Sequence, residues 1–350
     1  MRVRDSGGSR GDRDTSGRRW RWAAVAVAAA ASAALAVLIR RLGPMPGVLL
    51  IKYLFDRDSA RVTAALLAHR PGGVVVIRDQ QYRNGDRDAL LDVHLLAKPG
   101  PRPTVVWVHG GAWVSGSRKN VATYFELIAA QGYTVIAVDY SLAPAAAYPA
   151  ALRQLNDALI YLQAQAERLY VDTTRLVLAG DSAGAQLVSQ LATLTTVPRY
   201  AAELQLTPAL QPDQLAGVIL HCGYDDMRTF IDRGLLAPAV FRWGIGTVVR
   251  AYTGDRATDS AAIRQMSTID HITADFPPTF IAGGNADPLT DAQSRPFAER
   301  LNDLGVDVTT RFVPPDHRPA LGHEFQFNLD NEDGADVLRR TVAFLADHTR

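Results

Sequence analysis

The pentapeptide Gly180-Asp181-Ser182-Ala183-Gly184 limits what this chain can fold into more than any other stretch. It directly follows the apolar run 176–179 and precedes the helix-like run 185–191. A strand that passes into a helix across so short a segment must turn tightly. Its central serine then takes a strained backbone conformation, and small residues are needed on either side because strand and helix close in. The plain alternative is a glycine-bracketed loop that happens to contain a serine, and the rest of the sequence has to decide between them.

From residue 74 onward the pattern alternates regularly. Residues 74–77 and 90–95 read as strands joined by a turn at Asn84-Gly85. The run 104–109 is continuously apolar, as fits a strand covered on both faces. A helical stretch over 120–131, a strand over 134–140 and a helix over 149–165 follow, with Pro149 placed in that helix's first turn. Then come a strand at 176–179, a helix from Ala183, strands at 218–222 and 279–282, a helix at 292–304, a strand at 309–313 and a helix at 335–346. Such alternation predicts an α/β domain over 74–350, with a mostly parallel sheet and helices on both faces. Residues 224–267 interrupt it with helix-like pieces and the aromatics Tyr224, Phe230, Phe241, Trp243 and Tyr252. That stretch reads as a helical cap insertion over one edge of the sheet, and residues 42–73 as a linker or cap-associated segment.

The N-terminus has a different character. Residues 1–21 are poor in apolar side chains and carry seven arginines, which predicts a basic disordered tail. Residues 22–39 then contain no charge, and at 1.5 Å rise they would span about 27 Å of a roughly 30 Å hydrocarbon core. Trp20 and Trp22 suit an interfacial belt, and seven arginines before the run outweigh the four cations after it (Arg40, Arg41, Lys52, Arg57). Residues 22–41 are therefore expected to form a single-pass membrane anchor, N-terminus in the cytoplasm and catalytic domain outside. A cleaved signal peptide, giving a secreted protein, and a soluble Ala-rich helix are the competing readings. A formal net charge of +1, with no basic stripe beyond this tail, excludes nucleic acid as the expected partner. The single cysteine, Cys222, excludes an intrachain disulfide and reads as a small core residue.

Four motifs carry the chemistry. His109-Gly110-Gly111-Ala112-Trp113 leaves a strand, and its glycines let backbone N–H groups point into a cleft, as an oxyanion hole requires. A serine hydroxyl is a poor nucleophile, so Ser182 needs a base, and the base needs an orienting carboxylate. Asp287 follows the strand at 279–282, where an open α/β sheet places its active groups. Asp291 is its competitor, a turn into the next helix. His323, between the last strand and the last helix, is the expected base, with His317 in the same loop as the rival. The sequence holds no His-Glu-x-x-His, cysteine cluster, P-loop, Gly-x-Gly-x-x-Gly or Ser-x-x-Lys, so no metal or cofactor is expected.

Together, His-Gly-Gly at 109–111, Gly-Asp-Ser-Ala-Gly at 180–184, Asp-Pro-Leu at 287–289 and His323 with Phe325 resemble the hormone-sensitive-lipase-like branch of the α/β-hydrolases. The segments 138–144 and 148–152 fit it too, and the resemblance runs from about residue 79 to the C-terminus. It implies an esterase or lipase acting on small-molecule or lipid carboxylic esters through an acyl-enzyme. It further implies Ser182, Asp287 and His323 as catalytic residues, with the N–H groups of Gly110, Gly111 and Ala183 as oxyanion donors. His109 and Asp181 are then supporting members of their motifs. Ala112 stands where the family often has a third glycine. An amide, peptide or thioester hydrolase on the same triad is the alternative, followed by a non-catalytic membrane-tethered module.

Overall fold

The computed structural model describes residues 43–98, 100–236, 238–254 and 260–350. Two compact units divide after Pro46. The first contributes only residues 43–46 to the described chain, and the second is Gly47–Arg350. The basic tail expected over 1–21 and the anchor expected over 22–41 lie outside the described residues. Among those described, no helix is long and apolar enough to cross a membrane.

Eight strands form one sheet: β1 (Val74–Gln81), β2 (Leu90–Leu96), β3 (Arg102–Val108), β4 (Thr134–Val138), β5 (Val171–Asp181), β6 (Leu215–His221), β7 (Thr279–Gly283) and β8 (Val308–Phe312). Their order is β1-β2-β4-β3-β5-β6-β7-β8. β2 runs antiparallel to both its neighbours, and every other pair is parallel. The helices are α1 (Met45–Leu66), α2 (Ala122–Ala129), α3 (Ala150–Ala164), α4 (Ala166–Leu169), α5 (Ala183–Thr196), α6 (Pro198–Leu204), α7 (Met227–Leu236), α8 (Ala239–Thr253), α9 (Ala261–Met266), α10 (Arg295–Asp303) and α11 (Glu332–His348).

Alternate residues of the central strands supply two cores, as the two-residue period of a strand dictates. Val105 and Trp107 of β3, with Val177 and Ala179 of β5, pack against Tyr124, Phe125 and Ile128 of α2 and Phe344 of α11. Val106, Val108, Leu176 and Leu178 face the other way, onto Leu155 and Leu159 of α3 and Leu187 and Leu191 of α5. Strands buried on both faces lose the polar alternation of an edge strand, which is why they read as continuous apolar runs.

Three local expectations change. The segment 42–73, expected as a linker or cap-associated stretch, carries the long helix α1, and Pro46 is accommodated because a proline in the first helical turn gives up an N–H that has no helical partner there. The short α4 and α6 carry too few turns to leave a periodic signal. A π-turn at Thr290–Ser294 delays α10 to Arg295. The stretch 224–267 contains no strand among its described residues and folds as α7, α8 and α9.

Candidate active site

Every motif residue lies at a C-terminal end of a parallel strand, the crevice where open α/β sheets collect their reactive groups. Ser182 sits between β5 and α5 at φ 52°, ψ −120°, a region that non-glycine residues rarely occupy. Its backbone N–H donates to the carbonyl of His221 at the end of β6, which holds the strained turn in place. The flanking glycines are required by contact. A Cβ on Gly184 would fall far inside the van der Waals radius of the Val108 carbonyl oxygen, and one on Gly180 would lie 2.6 Å from the Gly184 carbonyl carbon.

The structure brings Ser182, His323 and Asp287 together. Ser182 Oγ is 3.0 Å from His323 Nε2, and His323 Nδ1 is 2.8 Å from Asp287 Oδ2. Asp287 Oδ1 accepts the Leu289 N–H at 2.9 Å, so both carboxylate oxygens are engaged. The Asp287 side chain is 1% exposed, whereas the His323 ring is 37% exposed and open to the cleft. Burial works to lower the His323 pKa, but the hydrogen bond to Asp287, the Cys222 thiol beside it and the Asp287 charge outweigh that and raise it well above the ordinary value. Burial alone would raise Asp287, yet the hydrogen bond and charge of His323 hold it below the usual carboxylate range. The rivals are engaged elsewhere. Asp291 pairs with Arg295 at 2.8 Å on the surface, and His317 Nε2 lies 2.8 Å from Asp333 Oδ2.

Asp181 ties the serine turn to the loop after β3. Its Oδ1 accepts from Trp107 Nε1 at 2.7 Å and its Oδ2 from the Gly110 N–H at 2.8 Å. Burial first, and the nearby Glu324 carboxylate second, push its pKa above the usual carboxylate range. The bond from Gly110 corrects one sequence expectation: that N–H is already committed and is not a free donor to an oxyanion. The Gly111 and Ala112 N–H groups have no acceptor among the described residues, nor has that of Ala183 at the positive end of α5. Three donors therefore remain, with Ala112 taking the place expected of Gly110. Ala112 has φ 51°, a left-handed conformation that costs a non-glycine residue about 1–2 kcal/mol, which is the physical reason a third glycine suits this position. His109 stabilises the same loop. Its ring stacks flat on Tyr140 at 4.4 Å, and Tyr140 Oη donates to the His109 carbonyl at 2.9 Å.

Two neighbours of the triad are not evident from the motifs. The Tyr224 hydroxyl lies 2.7 Å from Ser182 Oγ, three residues past the end of β6; strand-end placement is the signal that could have found it. Cys222 is buried against His323, and burial pushes its thiol up to about 11, so it stays protonated and inert. Cys222, Asp287 and His323 offer ligand atoms within 4.8 Å of one another. The Asp287 and His323 atoms are already hydrogen-bonded in the triad, so a cation there would displace the contact that orients the imidazole. Trp113, Tyr224, Phe230 and Tyr252 form an aromatic cluster that reaches Ser182 through the Tyr224 hydroxyl, Trp113 stacking on Tyr252 at 4.9 Å and Tyr224 on Phe230 at 4.8 Å. A cavity of about 180 Å³ reaches Ser182 and His323 past Gly111, Asn120 and Phe327, with Phe55 of α1 at its rim.

Comparison with known proteins agrees with this fold. The sequence pattern of the α/β-hydrolase fold family matches residues 105–325. An esterase of Gibberella moniliformis is 29% identical over 210 residues, 60% of this chain and 64% of that protein. Esterase LipC of Mycobacterium tuberculosis is 32% identical over 239 residues, 67% of this chain and 55% of that one. The chain thus spans less than two thirds of the length of these curated relatives. Among solved structures, inhibited esterase B from Lactobacillus rhamnosis has a TM-score of 0.73 at 22% identity, covering 86% of this chain and 97% of its own, a likeness of fold. Esterase LipW from Mycobacterium marinum has a TM-score of 0.66 at 26% identity, covering 86% and 90%. On its fold, its motif order and the matched residues 105–325, the chain belongs to the α/β-hydrolase family, among the hormone-sensitive-lipase-like members.

Proposed function

We propose that the chain is a serine hydrolase that cleaves carboxylic esters through an acyl-enzyme. The observation that carries this reading is the unbroken hydrogen-bonded path Asp287–His323–Ser182, set beside three unengaged backbone N–H groups. In the neutral imidazole, Nδ1–H donates to Asp287, which leaves the Nε2 lone pair facing Ser182 Oγ–H. His323 takes that proton as Oγ bonds to the ester carbonyl carbon, and the carbonyl oxygen becomes an oxyanion. The N–H groups of Gly111, Ala112 and Ala183 supply fixed donors for that charge. The intermediate collapses with cleavage of the carbon–alkoxide bond, and Nε2–H protonates the departing alcohol. Water then attacks the acyl-enzyme, giving its proton to His323 and releasing the acid as Ser182 recovers its own. The named esterase relatives support the same chemistry.

Ser182→Ala is expected to lower kcat towards a p-nitrophenyl ester by at least about 10³-fold and to abolish fluorophosphonate labelling. Retained turnover, or labelling that persists in the variant, would overturn the assignment.

A further inference from the structure

Nine of the twelve large apolar side chains exposed among the described residues lie on two helices, α1 and α8. They include Leu50, Tyr53 and Leu54 on α1 and Val240, Phe241 and Trp243 on α8, these six ranging from 45% exposed at Trp243 to 66% at Val240. They form one surface. The helices meet at Gly47, where a Cβ would lie 3.0 Å from the Trp243 ring, and Leu50 and Leu54 continue the Gly47 stripe at i+3 and i+7. Val48 and Ile51 of α1 are buried beside this stripe, so the helix is apolar on adjoining packed and open faces, with the Lys52–Asp56 pair on its remaining flank. A contiguous apolar patch of this kind on a protein surface marks an interaction site.

We propose that the α1–α8 face docks on a lipid surface, with its aliphatic side chains below the headgroups and Tyr53 and Trp243 at headgroup level. Three observations favour lipid over a protein partner. The uncharged run 22–39 ends six residues before α1 begins, so the sequence leading into this face has the composition of a bilayer-seeking segment. The amphipathic aromatics Tyr53 and Trp243 on the face suit the headgroup level of a bilayer. Phe55, on the same helix, lines the cavity that leads to Ser182, so the docking face adjoins the mouth of the site. Docking would hold wherever the cleft's chemistry leads, because it depends only on the surface.

The test uses the full chain carrying Tyr53→Cys or Phe241→Cys, each labelled with an environment-sensitive nitrobenzoxadiazole fluorophore. The native Cys222 is buried, and Arg87→Cys, in the β1–β2 turn where the side chain is 96% exposed, is the control. With vesicles of phosphatidylcholine and phosphatidylglycerol, labels at 53 and 241 are expected to shift blue, brighten several-fold and be quenched by shallow spin-labelled lipid. The label at 87 should not respond. If 53 and 241 behave like 87 while the protein floats with the vesicles, the proposal fails. A blue-shifted label before lipid is added also overturns it: dependence on protein concentration would identify a second copy on this face, and independence a segment of the same chain. No turnover enters the readout, so a failed hydrolase assignment and a failed docking surface are told apart.

Discussion

Tyr224 places its hydroxyl 2.7 Å from Ser182 Oγ while Oγ also lies 3.0 Å from His323 Nε2. When Ser182 donates to the imidazole, only the tyrosine can donate to Oγ, so its O–H fixes the nucleophile's rotamer and follows the charge that develops as the proton leaves. Burial keeps that hydroxyl protonated, pushing it up to about 12. Tyr224→Phe preserves the stacking on Phe230 and the edge contact with Trp113, and removes the donor alone. A hydrogen bond worth about 1–1.5 kcal/mol corresponds to roughly a tenfold loss in kcat, with KM little changed. Steady-state kinetics on a p-nitrophenyl ester check this, and an unchanged kcat would reduce the tyrosine to a packing residue. The grouping of Ser182, Asp287 and His323 was legible in the sequence because each follows a strand, in the order Ser, Asp, His. Tyr224 was not, because a tyrosine after a strand is common and its meaning depends on which way the side chain turns. The engagement of Gly110 by Asp181 was hidden for the same reason: two adjacent glycines look alike until their N–H directions are known.

At the level of elements, the site depends on how closely β3, β5 and α5 approach. The aligned pairs Trp107–Ala179 and Val108–Gly180 bring the ends of β3 and β5 level, so the oxyanion loop and the serine turn leave the sheet side by side. Gly184 occupies the first turn of α5 directly against the carbonyls of Val108 and His109. Gly184→Ala therefore pushes α5 from β3 and moves Ala183 and Ser182 together. The expected outcome is a folded protein destabilised by about 1–3 kcal/mol, with a larger fractional loss of activity than of stability, because the oxyanion donors need sub-ångström placement. Thermal melts and kinetics on the same preparation read both. Equal melting temperatures for variant and wild type would mean that the elbow yields without cost. The sequence predicted most of these elements because the central strands are apolar on both faces and the helices carry a clear 3.6-residue period. It missed the helical course of α1 across Pro46-Gly47, where turn-forming residues stand in the one helical position that tolerates them.

Across the molecule, activity and stability are set against each other by pH. His323 must be neutral to accept the serine proton, and its pKa is raised well above 6.5, so turnover is expected to climb with pH on a limb above that value. Stability runs the other way. Asp225, buried beneath the α7–α9 insertion among Ser189, Thr268 and its charged neighbour Asp226, is pushed up to about 7, mainly by burial. A carboxyl whose folded pKa lies above its unfolded value holds a proton in the native state that the unfolded chain has already released. The unfolded state then binds fewer protons between about pH 4 and 7, so the free energy of unfolding falls as pH rises through that window. His323 acts with the same sign at higher pH: its contribution is full below 6.5 and lost as pH rises through its folded value. Asp86, Asp172 and Asp336 have lowered values despite partial burial, through hydrogen bonds and neighbouring arginines, and their contribution is lost only below about 4. The melting temperature is therefore expected to be highest near pH 5 and to decline by several degrees by pH 8, while kcat/KM increases over the same interval. Asp225→Asn, which keeps the acceptor facing Thr268 Oγ1 but cannot ionise, should make the decline between pH 5 and 7 shallower, the remainder coming from the raised Asp181, and leave the activity limb in place. A variant whose melting temperature falls as steeply as the wild type's would show that Asp225 contributes nothing to the pH dependence.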